Sequence, residues 1–294
     1  MIVYPNCKIN IGLRVVRKRE DGYHDLETIF YPVFGVCDEL EITPAETFAF
    51  IQEGIAVDCK PEDNLIIRCY QRMRSLYPKI GDVRIRFKKN IPFGAGLGGG
   101  SSDAAHTAIV LNRLFDLSLT REQLIDIVRP LGADCPFFIY NTPCFAEGIG
   151  DILTPIDMDL SAYRLVMVKP QDAVSTREAY SGLSAKLSYS EALLQQRGLT
   201  AQRSYSEALL QQRSGLFSND FEATVFPLHP AIAKIKEHLL TAGALYASMS
   251  GSGSTVFALF DHDSEYRAAS DRALFDIQPS AMVLFDDTLG KRQS

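Results

Sequence analysis

Residues 91–102 read Ile91-Pro92-Phe93-Gly94-Ala95-Gly96-Leu97-Gly98-Gly99-Gly100-Ser101-Ser102, and Asp103-Ala104-Ala105 follow at once. Five glycines within the seven positions 94–100 cost backbone entropy on folding, so they need a reason. Without Cβ atoms the chain turns sharply and its N–H groups approach a ligand closely. Ser101, Ser102 and Asp103 are good helix N-cap residues, and Ala104 to Phe115 contains few breakers, so a helix is expected to start there. A glycine-rich loop that opens a helix offers N–H groups at the positive end of a dipole, which is an anion site. The expectation is a phosphate cradle.

Other glycine loops fit less well. A Walker loop needs Gly-Lys-Ser/Thr, and the stretch holds no Lys. Gly94, Gly96 and Gly99 match the dinucleotide pattern GxGxxG in form, with Asp116 about 20 residues on, but Lys88 to Phe93 separates the strand candidate Val83–Phe87 from the first glycine. Protein kinases carry His-Arg-Asp and Asp-Phe-Gly after their loop, and neither occurs. A flexible linker would rarely lie between an apolar Ile-Pro-Phe and a helix cap.

The chain has 294 residues, enough to bury about three quarters of its unfolded surface and near the size at which cores divide. The net charge of −6 argues against nucleic acid as a partner, which normally leaves a basic footprint. No apolar run approaches 18 residues, so no membrane partner is expected, and Met1-Ile2-Val3-Tyr4 lacks a signal-peptide pattern. Six cysteines are scattered without CxxC or paired His spacing, as expected of reduced thiols in a cytoplasmic protein.

From Lys8 to Val16 polar and apolar residues alternate as in a strand, so Lys8 and Asn10 share one face while Ile9 and Ile11 point the other way. That face is either exposed or lines a cleft. An Asp21-Gly22 turn precedes Tyr23 and His24, an aromatic and an imidazole that either pack or stack on a base. Further strands are expected at Leu26–Val36, Leu40–Thr43, Phe48–Ile51, Leu165–Val168 and Val256–Phe260. Helices are expected at Leu65–Tyr77 behind Asp63-Asn64, from Thr120 to about Arg129, after Ser175 or Thr176, and over Pro230–Ala242. Asp134 stands among apolar residues before Cys135-Pro136, where a carboxylate either caps the next turn or faces a cation. Ser188–Arg197 and Ser204–Arg213 are letter-for-letter repeats of SYSEALLQQR, too few for a solenoid, and no function attaches to them. Ser248-Met249-Ser250-Gly251-Ser252-Gly253-Ser254 is a second small-residue loop without GxSxG.

The form Pro-x-Gly-x-Gly-Leu-Gly-Gly-Gly-Ser-Ser-Asp resembles the nucleotide loop of the GHMP kinases. The rest follows in one order over nearly the whole chain: Lys8-Ile9-Asn10, Asp21-Gly22-Tyr23-His24, Gly132-Ala133-Asp134-x-Pro136-Phe137-Phe138, Ala146-Glu147-Gly148-Ile149-Gly150, Asn219-Asp220-Phe221-Glu222 and Met249-Ser250-Gly251-Ser252-Gly253. The resemblance implies a two-domain α+β fold with the active site in the cleft between domains, an N-terminal domain over 1–155 and a C-terminal one over 156–294. It implies a kinase that phosphorylates an alcohol of a small-molecule substrate, cytidine diphosphate-linked methylerythritol, with ATP and Mg2+, in isoprenoid biosynthesis. Asp134 would stand at the substrate hydroxyl, with Lys8 beside it favouring the ionised carboxylate and stabilising the transferring phosphoryl group. Asn10 would bind the methylerythritol part, and Tyr23, His24 and Tyr180 the cytosine. Pro92, Phe93, Gly94, Ala95, Gly96, Leu97, Gly98, Gly99, Gly100, Ser101 and Ser102 would wrap the ATP phosphates. The loop from Met249 to Gly253 would buttress the site, and no metal ligand is assigned. A GHMP kinase for another alcohol, or a non-catalytic nucleotide-binding protein, are the alternatives.

Overall fold

A computed structural model describes residues 1–56, 60–181, 183 and 217–289 of the chain. The duplicated segment 188–213 lies outside the described residues.

The first strands are β1 (Ile2–Val3), β2 (Asn6–Lys18), β3 (His24–Cys37), β4 (Glu39–Pro44) and β5 (Ala49–Gly54). Helix α1 (Leu65–Leu76) follows, its first turn capped by the Asn64 side chain, which accepts from the Ile66 N–H. Strand β6 (Val83–Lys89) alternates strictly, with Val83, Ile85, Phe87 and Lys89 buried and the cations between them exposed. Next come α2 (Gly99–Leu114), α3 (Arg121–Val128) and α4 (Cys135–Tyr140), then β7 (Cys144–Glu147), β8 (Ile152–Pro155), β9 (Tyr163–Lys169) and α5 (Thr176–Ser181). The remaining described elements are α6 (Glu222–Leu228), α7 (Pro230–Thr241), β10 (Tyr246–Met249), β11 (Val256–Asp261), α8 (Arg272–Ile277) and β12 (Met282–Thr288).

These elements form two compact units. The first comprises Met1–Lys8, Pro32–Phe93 and Gly98–Thr142. Its sheet has the order β1-β4-β6-β5, antiparallel between β4 and β6 (Leu40↔Phe87, Ile42↔Ile85) and parallel between β5 and β6 (Phe50↔Ile85). Leu40, Ile42, Ile85 and Phe87 of the sheet share one core with Ile66, Tyr70 and Met73 of α1 and Ala104, Ala108 and Leu111 of α2. Helix α3 starts on a capping box, in which Thr120 accepts from the Gln123 N–H and Gln123 accepts from the Thr120 N–H.

The second unit comprises Ile9–Tyr31, Gly94–Leu97 and the chain from Pro143 onward. Its sheet β10-β11-β9-β12 is antiparallel throughout, with Val256↔Val168 and Phe257↔Met167 in register. Val166, Val168, Val256, Ala258 and Phe260 of the sheet, Ile232, Ile235 and Leu239 of α7, and Leu13 and Val15 of β2 make its core. Strands β3, β7 and β8 pair antiparallel here (Thr28↔Ala146, Cys144↔Pro155). A glycine turn joins β7 to β8, with Gly148 and Gly150 at positive φ.

Helix α2 begins earlier than the cap residues suggest. Its N-cap is Gly98, at φ 69° and ψ 16°, and no side chain caps it. Ser101, Ser102 and Asp103 therefore lie inside the helix. The physical reason is long-range: the Asp103 carboxylate accepts from the Lys89 ammonium at 2.8 Å instead of from its own helix.

Among the described residues no helix is long and apolar enough to cross a membrane.

Candidate active site

The first unit holds Lys8, Asp134 and both ends of the glycine loop. Lys8, at the start of β2, is 3% exposed. Its Nζ lies 3.4 Å from Oδ2 of Asp134. Asp134 occupies the residue before α4, yet its side chain makes no cap hydrogen bond to that helix. Of the two sequence readings of Asp134, the one that faces a cation is therefore found. The side chain is 31% exposed, so the pair is open on the carboxylate side and closed on the ammonium side.

The same ammonium arm runs past the loop. A Cβ at Gly98 would stand 3.1 Å from Cε of Lys8 and 3.0 Å from the Phe138 ring, and the residue also needs positive φ. Only glycine fits both demands. The first turn of α2 leaves N–H groups without intrahelical acceptors there, in a 16-residue helix whose dipole favours an anion at this end. Pro92, Phe93 and Gly98 to Ser102 belong to this unit, with Phe93 67% exposed.

A buried ionic cluster missed by sequence reasoning lies beneath this loop. The Lys89 ammonium meets Asp38 Oδ2 at 2.5 Å and Asp103 Oδ2 at 2.8 Å. Oδ1 of Asp38 accepts from the N–H groups of Asn90 and Ile91 at 2.6 and 2.8 Å, fixing the backbone that leads into Pro92. Burial disfavours the Lys89 charge, but Asp103 and Asp38 outweigh it and raise the affinity of Lys89 for its proton. Burial pushes the Asp103 carboxyl well above the usual carboxylate range, against the pull of Lys89. The available signal was the phase of β6, which puts Lys89 on the same face as Val83, Ile85 and Phe87.

The second unit holds the middle of the loop and the remaining candidates. Gly96, at φ 74°, is pressed against the second small-residue loop: a Cβ there would stand 2.0 Å from the Ser250 carbonyl oxygen. Ser250 Oγ donates to the Gly96 carbonyl at 2.9 Å and accepts from the Asn10 N–H at 3.3 Å. Asn219 Nδ2 donates to the Met249 and Gly251 carbonyls at 2.7 and 2.8 Å. The small-residue loop between β10 and β11 thus serves as a clamp on Gly96. Gly94, Ala95 and Leu97 run with it.

Asn10 is 3% exposed and its Nδ2 donates to Thr28 Oγ1 at 3.2 Å. His24 and Tyr180, 156 positions apart by their numbers, stack with ring centroids 4.6 Å apart and an interplanar angle of 24°. Tyr180 also packs edge-on against Phe221 at 4.7 Å. Burial and the charge of Lys18 lower the pKa of His24, which favours the neutral ring with one donor and one acceptor nitrogen. Tyr23, next in the chain, is 61% exposed. Among the described residues no group of three or more His, Cys, Asp or Glu is assembled as a metal site.

Comparison with known proteins agrees with this architecture. The profile of the GHMP kinases N terminal domain matches residues 64–142, and that of the GHMP kinases C terminal domain matches 204–273. A 4-diphosphocytidyl-2-C-methyl-D-erythritol kinase of Azobacteroides pseudotrichonymphae genomovar. CFP2 is 46% identical over 260 residues, 88% of this chain and 93% of that protein. One of the same name from Bacteroides fragilis (strain ATCC 25285) is 44% identical over 282 residues, 95% of this chain and 98% of the relative. Among solved structures, a 4-(cytidine 5'-diphospho)-2C-methyl-D-erythritol kinase superposes with a TM-score of 0.73 at 28% identity, covering 99% of this chain and 100% of that one. A homoserine kinase from Cytophaga hutchinsonii has the same fold, with a TM-score of 0.69 at 19% identity over 97% of this chain and 94% of its own.

Proposed function

The chain belongs to the GHMP kinase family, and from that premise we propose that it transfers the γ-phosphoryl group of ATP to the 2-hydroxyl of 4-diphosphocytidyl-2-C-methyl-D-erythritol. The observation that carries the reading is the Lys8–Asp134 pair at 3.4 Å with the Lys8 stem against Gly98 of the phosphate loop. A non-catalytic nucleotide binder has no use for a carboxylate held there.

In this reading the Asp134 carboxylate accepts a hydrogen bond from the 2-hydroxyl and takes its proton as the new P–O bond forms. The Lys8 ammonium pairs with that carboxylate and faces the phosphoryl oxygens, where charge accumulates in transfer. The loop from Pro92 to Ser102 wraps the ATP phosphates, with backbone N–H groups between Phe93 and Ser101 as the donors. The first turn of α2 suits such an anion, and magnesium bound with ATP neutralises part of the phosphate charge. The Asn10 amide addresses the methylerythritol hydroxyls. The His24 ring, kept neutral, pairs with the edge of cytosine, while Tyr23 and Tyr180 supply aromatic faces. The same reading assigns 1–155 to an N-terminal and 156–294 to a C-terminal GHMP domain, and the matched spans fall one in each half. It puts the protein in the cytoplasm, in isoprenoid precursor synthesis.

The test is ADP release from ATP and magnesium with the cytidyl substrate, mevalonate, homoserine or galactose as acceptor. Turnover with the cytidyl substrate alone supports the proposal. Turnover with another alcohol leaves a GHMP kinase of different specificity, and removes the roles given to Tyr23, His24 and Tyr180.

A further inference from the structure

His229 joins α6 to α7, and its backbone is held twice: its N–H donates to the Val225 carbonyl at 2.8 Å, and Pro230 behind it favours extended backbone. Its ring reaches out of this junction to two other segments. Nδ1 lies 3.3 Å from Asp172 Oδ1, in the loop after β9, and Nε2 lies 3.2 Å from Glu178 Oε1, on α5. Both facing atoms are carboxylate oxygens, which accept from ring N–H groups. The Asp172 side is itself anchored, since Gln278 Nε2 donates to Asp172 Oδ2 at 2.6 Å and Gln278 Oε1 accepts from the Gln171 N–H. Lys169 Nζ donates to the Asp172 carbonyl at 3.0 Å, and the Ser254 hydroxyl donates to it as well. Burial pushes the Asp172 carboxyl up, but hydrogen bonds from Gln278 and His229 outweigh it and lower its pKa overall.

Helix α5 needs such tethers. Its six residues are too few to hold a helix alone. Others are the Ser175 hydroxyl, which accepts from the Glu178 N–H at 3.1 Å, Thr224 Oγ1, which donates to the Ala179 carbonyl at 2.9 Å, and Thr176 Oγ1, 3.3 Å from Ser252 Oγ. The residue between these anchors and the end of the helix is Tyr180, the partner of His24 in the 4.6 Å stack.

We propose that His229, bridging Asp172 and Glu178, is a positioning residue that sets α5 and so aims Tyr180 at the cytosine of the substrate. This rests on the cytidyl reading of the site. The charged groups facing the ring are Asp172 from the β9–α5 loop and Glu178 from α5, with the Lys169 ammonium one step behind Asp172.

The experiment measures KM for the cytidyl substrate, KM for ATP and kcat at one fixed pH. The parent is compared with His229→Gln, Glu178→Ala and His229→Arg. In His229→Gln and Glu178→Ala the KM for the cytidyl substrate is raised roughly tenfold, as expected for a misaligned binding group, while KM for ATP stays within about twofold. His229→Arg, a donor to both carboxylates, restores low KM. Glu178 is exposed enough that its variant stays folded if His229→Gln does not. Unchanged KM in Glu178→Ala overturns the proposal, as does an equal rise in both KM values. A parent that turns over another alcohol and not the cytidyl substrate overturns instead the functional reading beneath it.

Discussion

Lys8 Nζ and Asp134 Oδ2 lie 3.4 Å apart, with the lysine side chain 4% exposed and the aspartate 31% exposed. The asymmetry separates their tasks. A nearly buried ammonium is held to one direction, while a carboxylate a third open to solvent is reachable by an incoming hydroxyl. Asp134→Asn keeps the shape and removes the proposed proton acceptor, so kcat is expected to fall about 10²–10⁴-fold with little change in thermal stability. Lys8→Met is expected to lower kcat by a similar order and to lower stability less than the loss of a fully buried pair would. ADP release and a thermal melt check both; full activity in Asp134→Asn removes the carboxylate from the mechanism.

Two glycines of the loop make a controlled comparison. Gly94 and Gly96 both have positive φ, but a Cβ at Gly94 meets nothing within 4 Å, whereas one at Gly96 meets the Ser250 carbonyl at 2.0 Å. Gly94→Ala should cost only the left-handed conformation, about 1–2 kcal/mol. Gly96→Ala should cost more, because backbone must move from backbone, and should raise KM for ATP by roughly tenfold or more as the loop shifts. Equal effects of the two substitutions on Tm and on ATP binding contradict the clamp.

Lys89 pairs with two buried carboxyl groups at once. Removing it leaves Asp38 and Asp103 facing each other, 0% and 5% exposed, without a cation. Lys89→Met is expected to lose about 3–5 kcal/mol, the range for breaking a buried pair from one side. Denaturant unfolding of the parent and the variant measures it, and a loss below about 1 kcal/mol means the cluster relaxes or takes up protons readily.

Acid sensitivity should localise in part to Asp271. Burial raises its carboxyl, but His238, Tyr266 and the Leu274 N–H of α8 hydrogen-bond it and lower its pKa overall. A depressed folded value means stability present above the unfolded value of about 3.9 and lost as pH falls through the folded one. Asn still caps α8 but cannot ionise. The Tm gap between the parent and Asp271→Asn should therefore be open at about pH 6 and close below about pH 4. A gap that stays constant through that window assigns the stability to geometry rather than charge.

Much of this was legible locally. Thr120 and Gln123 stand three apart and form the capping box they spell. The alternation of Val83-Arg84-Ile85-Arg86-Phe87 becomes β6, and the glycine loop does open a helix. What local reading lost was decided by partners far off in the chain. Ser101, Ser102 and Asp103 have the chemistry of caps, but Lys89 takes the Asp103 carboxylate, and the helix starts on Gly98. Asp38 and Lys89 are 51 positions apart, and nothing near either residue announces the other. His24 and Tyr180 were each marked as aromatic candidates, but their stacking is a property of folded distance.

The two compact units also set a timetable for synthesis. A ribosome that has reached Thr142 has made every residue of the first unit, but of the second only Ile9–Tyr31 and Gly94–Leu97. At that moment Thr28 has no Ala146 to pair with, and Leu13 and Val15 have no Val256 or Phe260 to pack on. The strands made first must wait, apolar faces uncovered, for the sheet made last. Folding of the second unit is thus closed by contacts across most of the chain, a slow kind of closure, while the first unit is complete near the midpoint of synthesis.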